Sequence, residues 1–128
     1  MRGKAIVPEG AAPPLAPYSP GMIIGKVLYV GGTLAMDAQG RTVATGDIAG
    51  QTRFVLEAIR QVVEAAGGSM KDIAFNHVFI KNLADYGAMN GVYKEFFPDV
   101  PPARYCIRAD LVKDEFLIEI ASIAHIGE

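Results

Sequence analysis

At 128 residues the chain is long enough to bury one hydrophobic core without disulfides, and one domain spanning residues 1–128 is expected. It is 51% hydrophobic and 20% charged, an ordinary globular composition, and a formal net charge of −2 gives no basic footprint for nucleic acid. The single cysteine excludes an internal disulfide, no apolar run nears membrane-spanning length, and Met1–Pro8 lacks a signal peptide's apolar core, so a cytoplasmic protein is expected.

Lys4 to Val7 reads as a short edge strand. Gly10 to Gly21 holds Pro13, Pro14, Pro17 and Pro20 and predicts an ordered loop without regular structure. Met22 to Ile24 and Val27 to Val30 predict two strands about a Gly25-Lys26 turn. Gly31 and Gly32 follow, where missing side chains let another group approach the backbone. Asp37 to Gly40 is a turn. Asp47 then caps a helix running to about Ala66. Val55, Ile59, Val62, Val63 and Ala66 recur at helical spacing, and Gly67-Gly68 supplies the stop.

Ile73 to Lys81 predicts a strand. A second helix begins near Asp85 with Met89, Val92, Tyr93 and Phe96 on one stripe, and ends before Pro98. Gly87 and Gly91 each cost it about 1 kcal/mol relative to Ala. The hairpin signal Asn90-Gly91 is overruled by that helical period. Two final strands, Ala103 to Leu111 and Phe116 to Ile126, are joined by a loop around Lys113-Asp114. In the first, the odd positions are apolar while Arg104, Cys106 and Arg108 share the other face. The second is apolar on both faces, with Glu119 its only charge.

This order of elements predicts an α+β fold, a mixed sheet with two helices on one face. The other apolar face of the last strand then needs a cover, and a homo-oligomer closing over it is the simplest.

A carboxylate in so apolar a run needs a partner or a task, because burying it alone is very costly. Arg104 has the planar fork that grips a carboxylate through two parallel hydrogen bonds. Two readings follow. In one, Arg104 is an anion clamp beside Glu119. Desolvation raises the proton affinity of that carboxyl, so that it can shuttle a proton or align a water. In the other, the last two strands form a hairpin that sets Glu119 opposite Arg108 in a structural ion pair.

Tyr18, stiffened by the prolines around it, either closes a pocket or plugs its loop onto the core. Asn90 either points its amide into a pocket or lies on the surface. Cys106 lies one strand step from Arg104 without a His/Asn system to activate it, and reads as a small residue beside a pocket. No ligand spacing links His77 and His125, so no metal is expected. Phosphate-binding, dinucleotide, zinc-protease and nucleophile-elbow motifs are absent.

In their order these residues resemble the RidA/YjgF family of reactive enamine and imine deaminases, over nearly the whole chain. The carrying stretches are Ala16-Pro17-Tyr18-Ser19, Val30-Gly31-Gly32-Thr33, Gln51-Thr52-Arg53, Val63-Glu64-Ala65-Ala66-Gly67 and Tyr93-Lys94-Glu95-Phe96-Phe97-Pro98. The strongest are Pro102-Ala103-Arg104 and Ile118-Glu119-Ile120-Ala121-Ser122-Ile123-Ala124. Within the family the chain is especially similar to the aminoacrylate-deaminase branch, through Leu15-Ala16-Pro17, Gly32-Thr33-Leu34-Ala35, Gly67-Gly68-Ser69-Met70, Phe75-Asn76, Ala103-Arg104-Tyr105-Cys106-Ile107 and Ile123-Ala124-His125-Ile126. Thr33 stands where typical members carry Gln, and Leu111-Val112-Lys113 where they carry Leu-Pro-Lys. Both departures lead toward that branch.

The resemblance implies a chorismate-mutase-like fold, a homotrimer with clefts between subunits, and no cofactor. It also implies hydrolysis of 3-aminoacrylate to malonic semialdehyde and ammonia in pyrimidine degradation. Arg104 and Glu119 would be catalytic; Tyr18, Gly31, Gly32, Asn90 and Cys106 would bind substrate. The alternatives are a broad deaminase of 2-aminoacrylate and related imines, and a non-catalytic trimer that binds small carboxylates. Ribonuclease activity, described for some members, ranks last, because the chain has neither a basic groove nor a paired-histidine site.

Overall fold

Six strands and two helices follow in the order that the periodicities predict. The computed structural model describes residues 3–11 and 14–127, so Pro13 of the proline-rich loop lies outside the described residues. The strands are β1 (Lys4–Ile6), β2 (Gly21–Ile24), β3 (Val27–Leu34), β4 (Ile73–Ile80), β5 (Ala103–Arg108) and β6 (Ile118–His125). The helices are α1 (Ile48–Ala65) and α2 (Tyr86–Phe96). One mixed sheet runs β1-β2-β3-β6-β4-β5, antiparallel except for the β4–β5 pair.

Local chemistry sets the ends of α1. The Asp47 carboxylate accepts the Gly50 N–H at 3.0 Å and satisfies a donor that the first turn leaves orphaned. At the other end Gly67 adopts φ +92°, a left-handed conformation that a glycine takes without strain. The Gly68 N–H then returns to the Val63 carbonyl at 3.0 Å. Val55, Leu56, Ile59, Val62 and Val63 form the buried stripe of α1. On α2 the buried residues are Met89, Val92, Tyr93 and Phe96, the stripe that helical spacing predicts in spite of Gly87 and Gly91.

The final hairpin does not form. β6 lies between β3 and β4, antiparallel to both, while β5 is carried by the α2 crossover to the sheet edge, parallel to β4. The physical reason lies in the composition of β6. A strand apolar on both faces belongs at the centre of a sheet, and the more polar β5 tolerates an edge. Glu119 is therefore opposite Phe79 and Leu34, and Arg108 is opposite Ile80, so no Glu119–Arg108 pair exists.

Both helices cover one face. On that side β6 contributes Ile118, Ile120, Ser122 and Ala124, all buried. The other face carries Glu119, Ala121 and Ile123 of β6 with Phe75, His77 and Phe79 of β4. Tyr105 and Ile107 of β5 extend it, still 42% and 49% exposed. Their rings touch: Tyr105 meets Phe75, His77 and Phe79 edge-on, and its hydroxyl lies 2.7 Å from His77 Nδ1. The alternation in β5 is thus reversed from the usual sense. Its apolar residues face outward, and Arg104 and Cys106 face the helices.

The buried Gln51 side chain joins α1 to the entry of β6. Its Nε2 donates to the Glu115 carbonyl at 3.0 Å, and its Oε1 accepts the Leu117 N–H at 2.8 Å. Replacing it with leucine leaves two backbone groups unpaired, each worth about 1–3 kcal/mol when buried. Gln51→Leu is therefore expected to lower stability by about 2 kcal/mol or more in urea unfolding. An unchanged midpoint would rule out this tie.

Candidate active site

Arg104 enters the helix side of the sheet from β5, directly opposite Asn76. Its Nη2 donates to Asn90 Oδ1 at 2.6 Å and to the Tyr86 hydroxyl at 3.2 Å. Its guanidinium carbon lies 4.6 Å from the centroid of the Tyr93 ring and 5.7 Å from that of Tyr86. Tyr86, Asn90 and Tyr93 share one face of α2, at spacings of four and three residues. Every one of these partners is neutral. Among the described residues no carboxylate lies within ion-pair distance of Arg104, so its charge is oriented but not neutralised.

Cys106 is the next residue on the same face of β5 and is partly buried. Burial pushes its thiol pKa up, against a smaller lowering by the Arg104 charge. The thiol stays protonated, which agrees with a small pocket residue rather than a nucleophile. β5 is also an edge strand, and the Ala109 N–H donates inward to the Ile80 carbonyl. Strand alternation then directs the Arg104 and Cys106 N–H groups to the free edge.

Glu119 projects from the opposite face. Partial burial raises its pKa above the ordinary carboxyl value, with no charged neighbour contributing among the described residues. Its carboxylate lies across Gly32, where a β-bulge interrupts the pairing of β3 with β6 between Val30 and Thr33. A Cβ on Gly32 would overlap Glu119 Oε2. Beside the bulge, the Gly31 N–H donates to the Pro20 carbonyl at 2.9 Å, which fastens the proline-rich loop to β3. Tyr18, 45% exposed, joins Gly31, Gly32 and Thr33 in lining a cavity of about 140 Å³ closed by Phe54 and Ala58 of α1.

The sequence-predicted residues thus form two groups in the folded chain. Arg104, Asn90 and Cys106 assemble at the β5 edge. Glu119 meets Gly32 at the β3 bulge, and Gly31, Gly32 and Tyr18 line the cavity beside it. The register separates them: Arg104 is in line with Asn76 and Ser122 on the helix side, while Glu119 is in line with Phe79 and Ile107 on the open side. Arg104 beside Glu119 is therefore not an arrangement within one chain. Asn90 is a direct partner of Arg104, not a surface residue. Tyr86 and Tyr93 complete the surroundings of Arg104, although neither stands out in the sequence as a site residue. The spacing Tyr86, Asn90, Tyr93, which ends three polar groups on one helix face, is the signal that could have found them. Among the described residues no group of three or more His, Cys, Asp or Glu is placed to hold a metal ion, and no helix is long and apolar enough to cross a membrane.

This sheet, with an arginine at its edge and a lone carboxylate over a glycine bulge, defines a small α+β domain of known type. Residues 9–126 match the family described as Endoribonuclease L-PSP, and the chain belongs to that family, which includes the RidA/YjgF proteins. It is 51% identical over 126 residues to the 3-aminoacrylate deaminase RutC of Acinetobacter baylyi, covering 98% of this chain and all of that protein. Among solved structures it is similar to the YjgF gene product of E. coli (TM-score 0.86, 32% identity, 95% of this chain and 98% of that one). It is equally similar to E. coli TdcF with bound serine (TM-score 0.87, 32% identity, the same coverage).

The overlap at Gly32 makes a specific prediction. Gly32→Ala should destabilise the protein by about 1–3 kcal/mol through overpacking. In a Glu119→Ala background the same substitution should cost much less. Equal costs in the two backgrounds, measured by denaturant unfolding, would show that the carboxylate does not occupy this space.

Proposed function

We propose that the chain is a cofactor-free deaminase that hydrolyses 3-aminoacrylate to malonic semialdehyde and ammonia, a cytoplasmic step of pyrimidine degradation. We further propose that it works as a homotrimer with sites between subunits. The observation that carries the reading is Arg104, a guanidinium fixed by neutral acceptors and lacking a carboxylate partner among the described residues. A small carboxylate substrate supplies the missing charge. The 51% identity to a protein named for this reaction supports the choice of substrate.

In this reading Arg104 of one subunit grips the substrate carboxylate, helped by the edge N–H groups of Arg104 and Cys106. The open, aromatic face of a neighbouring copy packs against that edge and brings Glu119, Gly32 and Tyr18 over the amine end. The enamine takes a proton at C2, which moves the C=C electron pair and leaves an iminium at C3. A carboxyl whose proton affinity is raised by burial suits that delivery. As carboxylate, Glu119 next removes a proton from water while the oxygen attacks C3, giving a carbinolamine. Return of that proton to nitrogen lets ammonia leave, and the carbinolamine hydroxyl proton passes to the Glu119 carboxylate as the aldehyde forms, which restores the acid. Arg104 holds one end of the substrate, so that reaction at the other becomes effectively intramolecular.

Ammonia release from freshly generated 3-aminoacrylate tests this directly. The wild type should exceed the spontaneous rate. Arg104→Ala should raise KM by roughly a hundredfold, as expected for loss of a charge-assisted pair. Glu119→Ala should lower kcat by about 10²–10⁴-fold. Equal or better turnover of 2-aminoacrylate would indicate the broader imine deaminase. Carboxylate binding without any turnover would indicate a non-catalytic binding module.

A further inference from the structure

On the helix side of the sheet three polar side chains stand in one row across three strands. Ser122 of β6 is opposite Asn76 of β4, and Asn76 is opposite Arg104 of β5. The neighbouring helix-facing positions, Val78, Ile80, Ile118, Ile120 and Ala124, are apolar and buried. Asn76 and Ser122 are buried as well, at 0% and 2% exposure. Polar groups at such depth are costly unless their hydrogen bonds are made.

Here they are made, and they lead in one direction. The Ser122 hydroxyl donates to Asn76 Oδ1 at 2.5 Å, and Asn76 Nδ2 donates to the Tyr93 hydroxyl at 2.8 Å. The chain ends at the ring on which the Arg104 guanidinium lies, 4.6 Å from the centroid. Tyr93 is itself buried, and burial raises its pKa, so the phenol stays neutral in this contact. Fixing the hydroxyl fixes the tilt of the ring, because a phenol anchored at one end cannot pivot about its Cβ. The ring in turn sets one face of the guanidinium, while Asn90 and Tyr86 hold its Nη2.

We propose that Ser122, Asn76 and Tyr93 form a buried positioning relay that sets the plane of the Arg104 guanidinium for a substrate carboxylate. This rests on the assignment of Arg104 as the carboxylate anchor. None of the three touches substrate. Their effect is exerted through Arg104, whose bidentate grip depends on orientation more than a point charge would.

The test compares the double variant Asn76→Val/Ser122→Ala, and separately Tyr93→Phe, with the wild type. The double variant replaces both inner members by apolar groups of similar size, and Tyr93→Phe keeps the ring but removes its anchor. Each should raise KM for 3-aminoacrylate about tenfold, with kcat changed less than about threefold, because a misplaced grip weakens binding before chemistry. In an Arg104→Ala background the same substitutions should leave KM unchanged. Calorimetric affinity for malonate, a carboxylate that cannot be deaminated, should fall in parallel. It reads the relay even where turnover is absent, so the failure of the assigned reaction and of the relay are separate results. An unchanged KM and malonate affinity in folded variants would overturn the relay. So would an equal rise in KM without Arg104, the mark of a merely structural role. If the double variant does not fold, Tyr93→Phe decides alone.

Discussion

The backbone register of β6 between β3 and β4 is the constraint on which everything else in this protein depends. A strand pairing on both edges presents alternate residues to opposite faces, and β6 therefore sends Ser122 toward the helices and Glu119 away from them. Because β4 carries that register across to β5, Arg104 falls on the helix side as surely as Glu119 falls on the other. No rotamer change brings the two groups together through a sheet. Chemistry that uses both needs two copies of the chain.

The same register explains the uncovered surface. α1 and α2 occupy one face of the sheet, and the other carries an aromatic group of Phe75, His77, Phe79 and Tyr105 with Ile107 beside it. Exposed apolar area of this kind is characteristic of interaction surfaces. Glu119 stands within it, partly desolvated and without a cation partner among the described residues. At the sheet edge Arg104 is held with no anion beside it among the described residues. One chain thus presents a guanidinium at the sheet edge and a carboxyl on the open face, neither of them ion-paired among the described residues.

Much of this was legible in the sequence because it is local. The Asp47 cap, the Gly67 stop and the buried stripes of both helices follow from a few neighbouring residues. So does the tolerance of Gly31-Gly32 for close approach, although its cause is the Glu119 carboxylate, a residue far along the chain. The pairing of the last two strands was not legible. Alternation tells which residues share a face but not which strand lies alongside, and the two-sided apolar character of β6 was the cue that it is central. The surroundings of Arg104 were half legible. Asn90 could be suspected from its position, but Tyr93 was hidden in an apolar stripe and Asn76 in a strand otherwise read as core.

The central claim is that Arg104 and Glu119 act together only across two subunits, and mixing two impaired variants, assayed at substrate far below the raised KM, tests it most directly. Arg104→Ala and Glu119→Ala, denatured together in equal amounts and refolded, form mixed assemblies. In a trimer about a quarter of the sites then combine an intact Arg104 from one copy with an intact Glu119 from its neighbour. The account predicts that deaminase activity returns to about that fraction of wild type. Activity no greater than that of the two variants refolded separately would contradict it.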